Sequence, residues 1–104
     1  MTTPNYLPII ASDILAVVIA EYDIHPLHFV GTGRHPRVLA AREAAVFLCR
    51  KYTVMSYPEI ARAMGMPTHT TAIWQHKRAK KKHAANPEIY AEIERKLLAG
   101  RVAA

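Results

Sequence analysis

The stretch Ser56-Tyr57-Pro58-Glu59-Ile60-Ala61-Arg62-Ala63-Met64-Gly65-Met66-Pro67-Thr68-His69-Thr70-Thr71-Ala72-Ile73-Trp74-Gln75-His76-Lys77-Arg78 decides the fold. Ser56 and Glu59 have the spacing of a capping box, in which the serine hydroxyl accepts from the glutamate amide and the carboxylate reaches back. Tyr57, Ile60, Ala61 and Met64 recur at helical spacing and predict one buried stripe. Gly65 supplies the left-handed residue that ends such a helix. Met66-Pro67 then makes a turn, and Thr68 is placed to cap a second helix running from about His69 to His83. Two helices joined by a tight, glycine-containing turn form a helix-turn-helix. In that arrangement the first helix braces on the DNA backbone and the second enters the major groove.

Charge sharpens this reading. There is no Asp or Glu between Ile60 and Pro87, whereas Arg62, Lys77, Arg78, Lys80, Lys81 and Lys82 fall there and equal the net charge of +6. A field polarised in this way attracts a polyanion, though a basic helix that only aids solubility has the same composition. At 100° per residue, Ala72, Ile73, His76, Ala79 and His83 gather on one side of the second helix. Thr70, Thr71, Trp74, Lys77, Arg78, Lys81 and Lys82 gather on the other. Threonine hydroxyls and methyls suit base edges, and the cations suit phosphates. The amides of the first turn, from Thr68 to Thr71, form a further anion site. Trp74 has two readings, in the core or on the groove face. His69, His76 and His83 recur every seven residues, but seven residues span ~10 Å along a helix. That is too far for one metal ion, and His76 reads as a packed, hydrogen-bonded core residue.

Outward from this unit the pattern stays helical. Leu15, Val18, Ile19 and Tyr22 predict a helix from about Ser12 to Tyr22, capped by Ser12 or Asp13. The connector from Asp23 to His35 has room for one short turn around Pro26 to Phe29 and ends in Gly31-Thr32-Gly33-Arg34-His35, a flexible loop bearing a cation. A long helix starts near Pro36 and runs to about Tyr52, with Val38, Ala41, Ala45, Leu48 and Tyr52 on its apolar face. Arg37, Arg42, Arg50 and Lys51 lie off that stripe. A last helix takes Asn86 as cap and Pro87 in its first turn, buries Ile89, Ile93 and Leu97, and ends at Gly100. The expected fold is all-α, with five to six helices over residues 12–100 and a loose lead-in over 1–11.

With 104 residues, about half of them apolar, the chain can bury one modest core. No apolar run reaches the roughly 20 residues of a membrane span, and the N-terminus lacks the basic start of a signal peptide. The single cysteine, Cys49, reads as a small core residue. These features fit the cytosol. There is no P-loop, CxxC or HExxH pattern. Glu88 and Glu92 share a face with Arg95 and Lys96 nearby and read as solvated surface. Neither an enzyme, a metal site nor a nucleotide cofactor is expected.

The residues Ser56 to Gly65 followed by Thr68 to His76 are similar to the signature of the C-terminal DNA-binding domain of the bacterial replication initiator DnaA, a Trp-repressor-like helix-turn-helix. Ala41 to Leu48 and Ile14 to Tyr22 resemble that family's preceding helices, so the resemblance covers about residues 12–83. It implies that His69, Thr70 and Thr71 meet bases and phosphates in the major groove. It implies that Arg34 enters the adjacent minor groove, that Arg42 contacts backbone and bases, and that Arg50 contacts phosphate. Thr68, Trp74, Lys77 and Arg78 complete the candidate surface. The chain departs from the family at Pro67-Thr68, where Arg-Asp is usual, and at Trp74, where histidine is common. The expected partner is double-stranded DNA at DnaA-box-like sites, read by a stand-alone domain that regulates replication initiation or transcription. A single reader of this size gains specificity by pairing with itself or through repeated boxes. Binding of a replication or regulatory protein, and non-specific DNA binding through Lys77 to Lys82, are the rival expectations.

Overall fold

A computed structural model describes residues 9–30 and 35–99, and these are helical with no strand among them. The helices are α1 (Ala11–Tyr22), α2 (Pro26–Phe29), α3 (Pro36–Tyr52), α4 (Tyr57–Ala63), α5 (His69–Ala85) and α6 (Ala91–Ala99). Local chemistry starts and stops most of them. The Ile10 amide donates to Asp13 Oδ2 at 3.3 Å, so Asp13 rather than Ser12 secures the start of α1. Asp23, at φ 52°, ends it in the left-handed region, which Asp tolerates better than most residues. Both α2 and α3 begin at a His-Pro pair. His25 Nδ1 accepts from the Leu27 amide at 3.1 Å, and His35 Nδ1 accepts from the Arg37 amide at 3.2 Å. Each proline fills the first helical position, where no amide is needed.

The core centres on α3, which packs against α1, α2 and α5; α4 packs on α5, and α6 returns to α1. Ala41, Ala44 and Ala45 are fully buried and let the neighbouring backbones approach. Ile14, Val18, Phe29, Leu48, Ile60 and Met64 fill the space between helices. Because neighbours cover α3 on several sides, its buried arc is wider than one apolar stripe and takes in Arg42 and Glu43. Cys49 is a core residue, as its sequence context implies, and burial pushes its thiol up to about 11.

The C-terminal helix begins later than its sequence signals imply. Asn86 does cap, accepting with Oδ1 from the Glu88 amide at 3.2 Å, but residues 87–90 form turns and α6 starts at Ala91. The physical reason is Tyr90, buried against Phe47 and His83, which fixes the chain before the helix can run. Ion pairs then fasten α6: Lys96 to Glu21 of α1 at 2.5 Å, and Lys51 to Glu94 at 2.8 Å. Tyr52 also donates to Glu94. Burial pushes the Glu94 carboxyl up, but the bonds from Lys51 and Tyr52 outweigh it and leave the group below the ordinary carboxylate range. No helix among the described residues is long and apolar enough to cross a membrane.

Candidate nucleic-acid interface

The hinge between α4 and α5 is built as its residues dictate. Ser56 Oγ accepts from the Glu59 amide at 3.3 Å, and Glu59 Oε1 accepts from the Ser56 amide at 2.9 Å. These bonds hold the Glu59 carboxyl below its ordinary value. Gly65 sits at φ 66°. Its amide donates to the Arg62 carbonyl at 3.3 Å, and the Met66 amide donates to the Ala61 carbonyl at 2.8 Å. This is the paired closure of a Schellman motif, with Met66 and Ala61 both in the core. The chain reverses tightly here and sets the start of α5 on the surface.

The first turn of α5 is electropositive. Thr68 occupies the cap position in extended conformation, yet its side chain makes no capping bond. This corrects the expected cap; the turn is exposed, so water can serve its amides instead. His69 and Thr70 are exposed and Thr71 is half-buried. There is no acidic residue anywhere on α5, and the positive end of the helix dipole adds to the field. Arg62, Pro67, Thr68, His69 and Thr70 share a shallow cleft of about 440 Å³.

Beyond that turn the exposed face continues through Trp74, Lys77 and Lys81. With Thr70 they fall within roughly 60° of arc at 100° per residue. Trp74 is 62% exposed, which settles its two readings against the core. Lys77 Nζ lies 5.8 Å from its ring centroid. Trp74, Lys77, Arg78, Lys80, Lys81 and Ala84 line an open groove of about 450 Å³. On the opposite side Ala72, Gln75 and Ala79 are buried, while Ile73, His76 and His83 are half-buried. The helix is therefore rolled slightly from its expected phase, with Gln75 inside and Lys82 drawn inward. On that edge Glu43 of α3 accepts from Arg78 Nε at 2.6 Å and from Lys82 Nζ. Sequence reasoning treated both cations as free because their partner lies on another helix.

The remaining candidates separate. Arg42 is only 3% exposed. Its Nε donates to the Phe29 carbonyl at 2.7 Å and one terminal nitrogen donates to the His28 carbonyl at 3.2 Å. That corrects its placement off the stripe: burying a guanidinium is costly unless it is well bonded, and here it ties the end of α2 to α3 behind the surface. Arg50 is exposed, donates to the Met55 carbonyl at 3.1 Å, and lies 4.3 Å from the centroid of the Tyr57 ring. Tyr57 in turn meets His76 Nδ1 at 2.6 Å. His76 is thus the packed, hydrogen-bonded residue its context implies. Arg34 lies outside the described residues. Arg62 and Lys80 join the surface; Arg62 is not among the contacts expected from the sequence, and its place in the acid-free stretch is the available signal.

The family profile described as "Bacterial dnaA protein helix-turn-helix" matches residues 11–79. The chromosomal replication initiator protein DnaA of Corynebacterium aurimucosum is 33% identical over 86 residues, which cover 83% of this chain and 16% of that protein. That of Nautilia profundicola is 32% identical over 82 residues, covering 79% and 19%. The Corynebacterium jeikeium protein of the same name is 27% identical over 86 residues, covering 83% and 15%. The chain spans less than a fifth of the length of these relatives. The matched segment runs from the first turn of α1 to the middle of α5 and includes the whole surface turn, and the chain belongs to the family of bacterial DnaA helix-turn-helix domains.

Proposed function

We propose that this chain binds duplex DNA sequence-specifically, with the N-terminal half of α5 in the major groove, and that it acts at DnaA-box-like sites to regulate replication initiation or transcription. Family membership supports DNA binding by a non-catalytic fold, and the relatives are named chromosomal replication initiators. The observation that carries the reading is the outer face of α5. Exposed His69 and Thr70 open a strip that continues through Trp74, Lys77 and Lys81 on a helix with no acid. Thr70 and Thr71 would read base edges, with His69 and Thr68 on adjoining bases or phosphate. Lys77, Lys80, Lys81 and Arg62 would neutralise backbone. Arg34 and Arg50 are proposed as flanking phosphate or minor-groove contacts.

Selection of bound duplexes from a random pool tests this directly. Enrichment of one motif is expected, and recovery of an unbiased pool would leave only non-specific binding. Thr71→Ala should then cost about 1–3 kcal/mol on the selected site and much less on random duplex. An equal loss on both would make Thr71 a backbone contact.

One observation favours a second reading, in which the face docks a replication or regulatory protein: the exposure of Trp74. The tryptophan reports on itself, as the chain has no other. Its emission should shift on addition of the selected duplex. Emission unchanged at saturating duplex would favour the protein partner.

A further inference from the structure

Among the described residues Glu43 is the only buried acid, with its side chain 3% exposed. It projects from the central helix α3 onto α5. Its two oxygens are both used, one by Arg78 Nε at 2.6 Å and one by Lys82 Nζ. The two cations lie four residues apart, on one edge of α5, and each remains at the rim, with side chains 63% and 40% exposed. Taking a carboxylate out of water is unfavourable unless opposite charges meet it. By contrast Lys77, Lys80 and Lys81 make no ion pair among the described residues. The basic helix is therefore divided: one edge is tied to an internal anion, and the outer face is left open.

We infer that Glu43 is a positioning residue that stands in for a phosphate group, fixing the roll of α5 and withholding Arg78 and Lys82 from sequence-independent contact with DNA. The inference rests on the DNA-binding reading above. Two consequences follow from the charge arrangement. With the acid in place, the cations that meet phosphate are those on the outer face, and discrimination between duplexes rests on the turn from His69 to Trp74. With the acid neutralised, two rim cations are released towards any polyanion, and the helix is freer to rotate about its axis.

Glu43→Gln keeps the shape and removes the charge. On random duplex at about 0.1 M salt its affinity should rise about 5- to 10-fold, and the slope of log K against log salt should steepen by about 1, the value of one added phosphate contact, because one of the two released cations reaches phosphate. Affinity for the selected site should rise less, so the specificity ratio falls. Unchanged or weaker binding to random duplex, with helix content retained, would overturn the inference. Should Glu43→Gln not fold, Lys82→Gln decides in the otherwise unaltered chain. A slope close to that of the unaltered chain is expected, because Lys82 is already occupied; a loss of about 1 would show it free to meet phosphate and sink the idea. If the unaltered chain binds no duplex at all, the DNA-binding reading fails. Elution from a heparin column then decides for Glu43: the Gln variant eluting at higher salt supports the inference, and elution at equal or lower salt overturns it.

Discussion

His76 shows how a single side chain links the interface to stability. It lies on the inner side of α5, accepts or donates at Nδ1 with the Tyr57 hydroxyl of α4, and meets the Phe47 ring of α3 at 6.3 Å between centroids. Burial lowers its pKa first, and the charges of Lys80 and Arg50 lower it further from the ordinary 6.5. The folded state thus prefers a neutral imidazole, while the unfolded chain takes up a proton near 6.5. Stability attributable to this group is full above that value and is lost as pH falls from there towards the lower folded pKa. Melting temperature should therefore drop between pH 7.5 and pH 5.5, and by less in His76→Gln than in the unaltered chain. Equal drops in both would remove His76 from this role. The inward position of His76 was legible from the wheel of α5. Its tyrosine partner was not, since that contact spans two helices and 19 positions of sequence.

At the scale of the element, the hinge before α5 is the part most plainly written in the sequence. The capping box, the left-handed glycine and the closing bonds at Met66 are all made by residues within one short segment, so local chemistry suffices to specify them. Gly65 is the vulnerable point. At φ 66° a side chain with Cβ crowds the following carbonyl, at a cost of about 1–2 kcal/mol. Gly65→Ala should lower the melting temperature by about 4–16 °C, at 4–8 °C for each kcal/mol in a domain of this size. Gly65→Asn should lose less, because asparagine visits that conformation more readily. Thermal unfolding followed by circular dichroism checks both, and an alanine variant that melts like the unaltered chain would remove the glycine from this role. Other ends were harder to read. His25 and His35 cap α2 and α3 through their rings, a task more often given to Ser, Thr, Asp or Asn, and Asn86 caps a turn rather than the helix itself.

For the whole molecule, what sequence could not show is which charges meet one another across helices. A helical wheel assumes one covered side, whereas α3 is covered by α1, α2 and α5, and so Arg42 and Glu43 become internal groups. That changes the electrostatic footprint. If all the cations expected from the sequence to face DNA did so, Arg42 included, about 5 to 7 phosphates would be neutralised, at a salt slope of roughly −4.5 to −6. Arg42 now faces inward, Lys82 is paired, and Arg78 is engaged through Nε. Arg62, Lys77, Lys80 and Lys81 make no ion pair among the described residues and form the minimum set. With one or two contributions from the α5 N-terminus and the flanking arginines, the slope of log K against log salt should be about −4.5 to −5.4. Raising salt from 50 to 200 mM should then weaken binding to the selected duplex by about 500- to 1,800-fold. A titration of fluorescent duplex across that range measures it. A slope shallower than about −2 would mean that the outer face of α5 does not meet the phosphate backbone, and would move the DNA-binding surface elsewhere on the domain.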